Sequence, residues 1–455
     1  MTTNTAIHRA IAAACALLLP ASLIAQGSLT PPGAPAPIFK TLDQIEPRTD
    51  VATLPGTATV EFTITQPGSY YLSRNISTGK NTAINISAAN VTLDLKGFQI
   101  TRSGGATGNA IVVGITAHRV TIRNGTILGD FGIGISCATE SRATSIEDVA
   151  LSACSNIAIS ASEGAIISRC RIHDQTGSGI QAGPAATISY CTISKTLAGK
   201  GILGLIATTI DHCTVTGHTG LTGIEVQSGG IITECVVRGS TATTSALRGE
   251  MGSTISRCTA FGNDTPAGIA AVQGSTVSHC SAKANTSTAA ISAGFSIDQG
   301  CTIIGCTADG NLSTAATLAG GNGAGFRTGN GTSVFDCIAQ GNVGDGILVA
   351  SGCHVRGNTC TSNGSGTGDG AGIHATNASN RIEGNAVSGN DRGVDVDVGG
   401  NFIVRNTASG NTSNYELFAG NAVGPIVATP PSAAISGATG GAGVGSTDPW
   451  ANFSF

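Results

Sequence analysis

The stretch AIISRC at residues 165–170 decides the fold, because close variants of this phrase return seven more times along the chain. Each copy ends in cysteine, and successive cysteines are separated by 21, 22, 22, 23, 22, 26 and 31 residues. Repeats of this length are typical of stacked architectures in which each repeat is one supersecondary unit. The cysteines of this ladder are Cys170, Cys191, Cys213, Cys235, Cys258, Cys280, Cys306 and Cys337.

The register of the ladder continues where the cysteines stop. One repeat before Cys170 the position holds Val149, and after Cys337 it passes to Asn358, Asn385 and Asn406. Asparagines form a second ladder five residues after the cysteine position. Asn tolerates left-handed backbone at a tight corner, and stacked amides hydrogen-bond along the stack. This second ladder consists of Asn263, Asn285, Asn311, Asn342, Asn363, Asn390 and Asn411.

Each repeat has the same internal order. It opens with a Gly-Ile-like pair, as in GIQAG at 179–183, and then passes through a turn to the cysteine position. The apolar residue two positions later, such as Ile172 after Cys170, shares the inward face, because strand side chains alternate. Three short strands joined by bends fit this order. The sequence therefore predicts an all-β solenoid of about fourteen coils over residues 85–415.

These repeats resemble the right-handed parallel β-helix of the pectate-lyase-like superfold, in its repeat-rich bacterial secreted form, over residues 59–415. That superfold includes lyases, hydrolases, epimerases, phage spikes and adhesins, so the resemblance implies a fold rather than an activity. Leucine-rich repeats have a similar period, but they need Leu at most framework positions. Here those positions hold Ile, Val, Ala and Gly.

Composition divides the chain into five segments. Residues 1–25 have a weakly basic start, an apolar core at 11–19 and a small-residue exit, which predicts a signal peptide. Residues 26–58 form a Pro-rich arm, and TVEFTI with YYLSRNI predict a hairpin-like pair in an N-terminal cap at 59–84. The β-helix at 85–415 is followed by a Gly/Ala-rich tail at 416–455, whose DPWANFSF end would cover the last coil. We therefore expect a protein that is secreted or at the cell surface, with the periplasm as an alternative.

Charge and cysteine content limit the partners. The net charge is -4 and no basic cluster is present, so we expect no nucleic-acid partner. No apolar run is long enough to span a bilayer. The ladder thiols should stay reduced, because strands stack about 4.8 Å apart whereas disulfides need a Cβ separation of about 3.8 Å. Pairing between adjacent coils is the alternative in an exported protein.

Candidate site residues lie on the outward positions of the opening strand. Asp395 and Asp397 are two residues apart, and His374 lies one coil below them. The two carboxylates could bind Ca²⁺ or act as acid and base, and Arg327 could neutralise an acidic sugar. Asp298 and Glu225, in the same rows, are candidate substrate-binding residues. The alternative interpretation is a solvated strand face with charge pairs, and aromatic platforms for sugar rings are absent there.

Motifs of related enzymes are mostly missing. Ile210-Asp211-His212-Cys213 resembles the WIDH stretch of pectate lyases, which would make Asp211 a Ca²⁺ ligand. The Trp is absent, however, and TIDHC is one of the repeated phrases, with TISYC and TISRC. The Arg-x-Pro-x-x-Arg motif of the lyases and the Asp-Pro-His motif of alginate epimerases do not occur.

Two functions follow from these observations. The first is a non-catalytic exported β-helix that binds polysaccharide or a cell-surface glycan along one face and needs no cofactor. The alternative is a polysaccharide lyase or epimerase that acts on acidic polysaccharide. It would use Asp395, Asp397, His374 and Arg327 for catalysis, and only in this alternative is Ca²⁺ expected as a cofactor.

Overall fold

The computed structural model of the protein is an all-β solenoid. The structure describes residues 48–104, 108–289, 292–314, 323–364, 370–428, 434–437 and 448–455. Its paired strands are parallel, and three lines of strands form three faces. The three-stranded coil predicted from the sequence is confirmed. The predicted signal peptide, residues 26–47 of the arm and much of the Gly/Ala-rich tail lie outside the described residues. Within the described ranges, no helix has the length and apolarity needed to cross a membrane.

Face 1 carries the opening strand of each coil. Its strands are Val60–Ile64, Thr82–Ile86, Asn109–Val113, Ile133–Cys137, Ile157–Ala161, Ser178–Ala182, Lys200–Gly204, Thr222–Val226, Ser245–Gly249, Ala267–Ala271, Ala293–Ile297, Ala324–Thr328, Ile347–Val349, Ala371–Ala375, Arg392–Val396, Ser413–Leu417 and Ala434–Gly437.

Face 2 carries the strand that leads to the cysteine position. Its strands are Thr49–Asp50, Gly68–Tyr71, Val91–Asp94, Thr121–Leu128, Ser145–Ser152, Ile166–Ser168, Thr187–Ser189, Thr209–Asp211, Ile231–Thr233, Thr254–Ser256, Thr276–Ser278, Thr302–Ile304, Ser333–Phe335, His354–Arg356, Arg381–Glu383, Phe402–Val404 and Ala422–Val423.

Face 3 carries the strand after the cysteine position, and Thr121–Leu128 and Ser145–Ser152 run on into it. Its own strands are Ile76–Thr78, Gln99–Arg102, Arg171–Gln175, Thr192–Thr196, Thr214–Thr216, Val236–Arg238, Thr259–Phe261, Ser281–Lys283, Thr307–Asp309, Ile338–Gln340, Thr359–Thr361, Ala386–Ser388, Thr407–Ser409, Ile426–Ala428 and Asn452–Ser454. Outside the faces are a short pair, Thr286–Ser287 with Leu312–Ser313, and the 3₁₀ turn Val51–Thr53.

The interior is a stack of like residues in register. Ile180 pairs with Ile202 and Ile202 with Ile224 on face 1, and all three are fully buried. The preceding glycine is required by close packing, because a Cβ on Gly201 would lie 2.4 Å from the carbonyl oxygen of Gly223 in the next coil. The Gly-Ile pair thus fixes both the backbone approach and the core contact of each coil.

The cysteine ladder joins the coils through hydrogen bonds. The backbone N–H of Cys306 donates to the Sγ of Cys337 at 3.4 Å, and the N–H of Cys337 donates to Oδ1 of Asn358 at 2.9 Å. In most steps from Cys213 onward, the ladder side chain accepts the corner N–H of the coil before it, whether that side chain is cysteine or asparagine. The thirteen described cysteines are buried, and none of them is in a disulfide.

The asparagine ladder works in the same way and reaches further than predicted. The backbone N–H of Asn263 donates to Asn285 Oδ1 at 3.2 Å, and the pattern repeats as far as Asn411. Before Asn263 the same position holds other polar residues, joined in most steps by the same bond: Cys154, Gln175, Thr196, His218 and Ser240. A third ladder, at the corner between faces 1 and 2, passes through Cys353, Asn380, Asn401 and Asn421.

The left-handed backbone of the corner was assigned to the ladder asparagines from the sequence, but it lies one residue earlier. The ladder asparagines are not among the residues with positive φ, whereas the residue before each ladder position is. Gly262 before Asn263 has φ 60°, and Arg257 before Cys258 has φ 51°. The turn therefore uses this preceding residue, and the ladder side chain points inward to satisfy the backbone of the neighbouring coil.

The coils extend beyond the predicted boundaries. Face 1 has seventeen described strands, more than the roughly fourteen predicted coils. The predicted hairpin at 59–76 is wrong, because Val60–Ile64 and Gly68–Tyr71 lie on different faces and pair in parallel with later coils. Ser413–Leu417 also continues face 1 past residue 415. The sequence pattern missed these coils because the repeated Cys and Asn spacings do not continue into them.

The end of the chain forms part of the last coils. Asn452–Ser454 pairs with Thr407–Ser409 and with Ile426–Ala428 in parallel. Asn452 Oδ1 accepts the backbone N–H of Asn406 at 2.9 Å, so it occupies the next step of the cysteine-position ladder. The Arg405 guanidinium lies 4.3 Å from the Trp450 ring centroid and donates to the Pro449 carbonyl at 2.8 Å.

Candidate functional site

Most charged candidates lie in one row on face 1, which we call the charged row. The residue after the central apolar residue of each opening strand stacks in register with its counterparts, so the row is a direct product of the parallel pairing. It contains Glu225, Arg248, Ala270, Ser296, Arg327, Leu348, His374, Asp395 and Glu416.

His374 is the centre of the C-terminal part of the row. Its Nδ1 donates to Oδ2 of Asp345 at 3.0 Å, and its Nε2 lies 3.2 Å from Oδ2 of Asp397 and 3.9 Å from Oδ2 of Asp395. Asp345 is fully buried, and its other oxygen accepts the backbone N–H of Ala371 at 2.7 Å. The imidazole is therefore held by a fixed carboxylate on one side and faces two carboxylates on the other.

The surrounding charges set the proton affinity of this cluster. Burial by itself would lower the pKa of His374, but the hydrogen bond to Asp345 and the charges of Asp345, Asp395 and Asp397 raise it to about 9. Burial raises the pKa of Asp395, and His374 and Arg392 oppose that effect. At neutral pH, His374 is therefore a cation that donates from both ring nitrogens and is not a free base.

Two further side chains close the cluster. Arg392 donates to Oδ2 of Asp395 at 2.7 Å and lies 2.9 Å from Oε2 of Glu416. Asp395 is 3% exposed and thus not solvated, but its contacts with His374 and Arg392 are charge pairs of the kind that the alternative interpretation expects. The Asp397 side chain is 48% exposed, which leaves one side of the cluster open to solvent.

Arg327 and Asp298 lie in a separate depression of about 540 Å³ on face 1. Its lining also includes Arg248, Ser296 and Gly329. Arg248 is paired with Glu250 at 2.6 Å. For the Arg327 guanidinium, the described part of the chain offers no hydrogen bond or ion pair. The depression thus combines an unpaired cation, a carboxylate and a hydroxyl over small residues.

The structure brings together three of the four predicted catalytic residues. His374, Asp395 and Asp397 are in contact, but Leu348 separates Arg327 from His374 in the row. Two coils correspond to about 10 Å along the stack. Arg327 therefore does not share a reaction centre with the other three.

Glu225 is not placed to bind a substrate. It is 7% exposed, its Oε1 lies 2.5 Å from Lys200 Nζ, and its Oε2 accepts from Thr222 at 3.0 Å. Asp211 and His212 pair with each other at 2.8 Å, and His212 lies 2.6 Å from Glu234. Asp211 and His212 of the pectate-lyase-like tetrapeptide therefore belong to a charge network at a corner, whereas Ile210 and Cys213 are buried in the core.

Sequence reasoning missed Arg248, Asp345 and Arg392. Arg248 lies in a coil that opens with SALRG and lacks the Gly-Ile pair used to align the rows. Asp345 and Arg392 directly precede the glycine of the opening pair in GDGIL at 344–348 and DRGVD at 391–395, so these polar residues before the pair were the available signal. The loops predicted to wall the groove lie partly outside the described residues, at 290–291, 315–322 and 365–369.

A comparison with protein-family models agrees with the fold. A family model for the right-handed β-helix region matches residues 182–328. A search of curated protein sequences found no match.

Three solved structures are among those that match this chain. A tailspike protein mutant of E. coli bacteriophage HK620, in complex with pentasaccharide, is 13% identical, with a TM-score of 0.43 over 75% of this chain and 72% of that one. Pectate lyase Pel9A is 16% identical, with a TM-score of 0.32 over 62% and 72% of the two chains. The A-module of the Azotobacter vinelandii mannuronan C-5 epimerase AlgE4 is 13% identical, with a TM-score of 0.28 over 78% and 91%. The strand register and the matched region show a right-handed parallel β-helix repeat protein.

Proposed function

We propose that this protein is an exported β-helix that binds an acidic polysaccharide along face 1. The observation that carries the proposal is Arg327, a half-buried cation in an open depression with no ion-pair partner among the described residues. An arginine fork in such a place suits the carboxylate of a uronic acid, which it can hold through two parallel hydrogen bonds. Export rests on the sequence pattern of residues 1–25.

The shape of the depression supports an extended ligand. Arg248 and Arg327 are three coils apart in the charged row, which corresponds to about 14 Å, and Ala270 and Ser296 separate them. Small side chains between two cations leave room for a chain that lies along the stack. Ser296 and Asp298 supply a hydroxyl and a carboxylate for sugar hydroxyl groups.

Binding to uronate polymers tests the proposal. Polygalacturonate or alginate should bind wild type by isothermal titration calorimetry, and Arg327→Gln should weaken binding about tenfold or more. The reason is that hydrogen bonds to charged groups contribute about 1.5–3 kcal/mol. A methyl-esterified polygalacturonate should bind wild type as weakly as the unmodified polymer binds the variant, because its carboxylates are neutralised.

The matched control is Arg356→Gln, which removes an exposed arginine of face 2 that lies over the Phe335 ring. This variant should bind uronate polymers like wild type. Equal binding by wild type and Arg327→Gln would contradict the proposal, as would an equal loss in both variants or no binding of any uronate polymer.

A lyase or epimerase remains a second candidate because of one contact, that between His374 and buried Asp345. This pair could hold a protonated imidazole against a substrate that reaches the open side at Asp397. Incubation with uronate polymers, monitored for unsaturated product by ultraviolet absorbance and for epimerised residues by NMR, tests it. Product formed by wild type and lost in His374→Ala would establish the enzyme, whereas no product with any polymer would exclude it for these substrates.

A further inference from the structure

The donor atoms of His374, Asp395 and Asp397 converge at the C-terminal part of the charged row. Nε2 of His374 and one oxygen each of Asp395 and Asp397 lie within 4.8 Å of one another. These residues belong to two adjacent coils, so the spacing is set by the parallel pairing of Ala371–Ala375 with Arg392–Val396. One nitrogen and two oxygens thus converge from a rigid sheet on a point that is open on the Asp397 side.

The distances fit a small cation. Bonds of about 2.0–2.2 Å from a metal to imidazole and carboxylate donors separate those donors by about 3–3.5 Å. The observed separations from His374 Nε2 are 3.2 Å to Asp397 and 3.9 Å to Asp395. A shift of a few tenths of an ångström would bring the longer of these two separations into that range, and the oxygens of Asp395 and Asp397 lie within 4.8 Å of each other.

The second ring nitrogen provides an independent observation. Histidines that bind metals usually donate their other N–H to a carboxylate or carbonyl, which fixes the ring and directs the lone pair of the ligating nitrogen. His374 Nδ1 donates to Asp345, which is fully buried and held in turn by the Ala371 N–H. A buried carboxylate in this position orients Nε2 toward Asp395 and Asp397.

We infer that His374, Asp395 and Asp397 bind one divalent transition-metal ion of the Zn²⁺, Mn²⁺ or Co²⁺ class, with Asp345 orienting the histidine. The imidazole nitrogen favours these ions over Ca²⁺, which takes oxygen ligands. The metal takes the place of the Nε2 proton, and Arg392 continues to neutralise Asp395. The remaining coordination positions face solvent beside Asp397. This inference is independent of polysaccharide binding at Arg327.

Cobalt binding to the full chain tests the inference. Chelator-treated protein should take up one equivalent of Co²⁺ by equilibrium dialysis, with visible d–d absorption that Zn²⁺ abolishes by competition and excess Ca²⁺ does not. His374→Ala should weaken Co²⁺ binding by more than about tenfold, and Asp345→Asn should weaken it by about tenfold through the loss of the orienting carboxylate.

Asp397→Asn is the second ligand variant, because Asp397 is half exposed and its amide keeps the size of the side chain, so folding should survive. Circular dichroism checks that each variant is folded. The matched control is Asp336→Asn, an exposed aspartate on a face 2 corner, which should bind Co²⁺ like wild type. The inference is overturned if wild type binds no Co²⁺, if Ca²⁺ competes equally, or if Asp397→Asn and Asp336→Asn bind alike.

Discussion

The ladder residues show how one side chain satisfies the backbone of another coil. A parallel coil leaves an N–H at each corner that the strands do not use, and a buried unpaired N–H is costly. Cysteine and asparagine both accept this N–H, as Cys337 and Asn358 do at successive coils. Asparagine also donates from Nδ2, since Asn358 reaches the carbonyl of Val334 at 2.9 Å. Cysteine and asparagine therefore accept the same N–H at this position, but asparagine joins the coils more strongly because it also donates a hydrogen bond.

Substitution of Cys337 tests this interpretation. Cys337→Asn should keep or raise the melting temperature, because the amide replaces a weak sulfur acceptor and continues the bonds of Asn358. Cys337→Ala should lower the free energy of unfolding by about 1–3 kcal/mol, because the N–H of Cys306 loses its partner. Thermal unfolding followed by circular dichroism distinguishes the two. Equal destabilisation by Asn and Ala would show that volume rather than hydrogen bonding decides this position.

His218 is the one histidine in the second ladder, and it is fully buried. Burial lowers its pKa to about 4. Its Nδ1 is paired with the Thr196 hydroxyl, and Nε2 has no partner among the described residues. The unfolded chain, whose histidine has a pKa near 6.5, binds the proton more readily. The stability that neutral His218 provides is complete above pH 6.5 and is lost as the pH falls toward 4.

The pH profile of stability should therefore depend on His218. Between pH 7 and pH 5, wild type should lose about 1–2 kcal/mol more stability than His218→Gln, measured by urea unfolding at each pH. His279→Gln, at an exposed position in a neighbouring corner row, is the control and should follow wild type. Parallel profiles for wild type and His218→Gln would contradict the assignment of this proton to His218.

At the scale of elements, the C-terminal strand Asn452–Ser454 stabilises the end of the stack. Asn452 accepts from the backbone and side chain of Asn406 and donates to the carbonyls of Ile403 and Gly424. Tyr415, fully buried, donates to the carbonyl of Phe453 at 3.0 Å. These contacts come from a segment whose sequence carries no repeat.

Asn452→Ala should expose the end of the solenoid to local unfolding. We expect faster hydrogen exchange in strands Thr407–Ser409 and Phe402–Val404, with little change near Cys170, because each coil contacts only its neighbours. Asn377→Ala, at an exposed position, should leave exchange unchanged. A uniform increase along the chain would mean that the solenoid unfolds as one unit.

At the scale of the whole molecule, periodic features could be predicted from the sequence and local charge contacts could not. The Cys and Asn ladders gave the register because the same residue type returns at each coil. The ladder was missed where the residue type changed, as at Gln175 and Ser240, although these side chains accept a backbone N–H as the asparagines do. The return of the same residue type at each coil was enough to predict that the coils stack, but coils also stack where the residue type at the ladder position changes.

The site was only partly predictable for a related reason. Parallel pairing brings His374 beside Asp395, and this followed from the alignment of the opening strands. Asp345 lies 29 residues before His374 and contacts it through a loop of irregular length, so no fixed spacing indicates the pair. Whether Arg327 has an ion-pair partner depends on which charged side chains lie near it, and those neighbours can be read only from the three-dimensional structure.

The central claim is that face 1 holds an acidic polysaccharide at Arg327. A crystal structure of the protein with a uronate oligosaccharide tests it most directly. We predict that the oligosaccharide lies along face 1 between Arg248 and Arg327, with one carboxylate within hydrogen-bond distance of the Arg327 guanidinium. An oligosaccharide bound on face 2 or face 3, or on face 1 without a contact to Arg327, would contradict the claim.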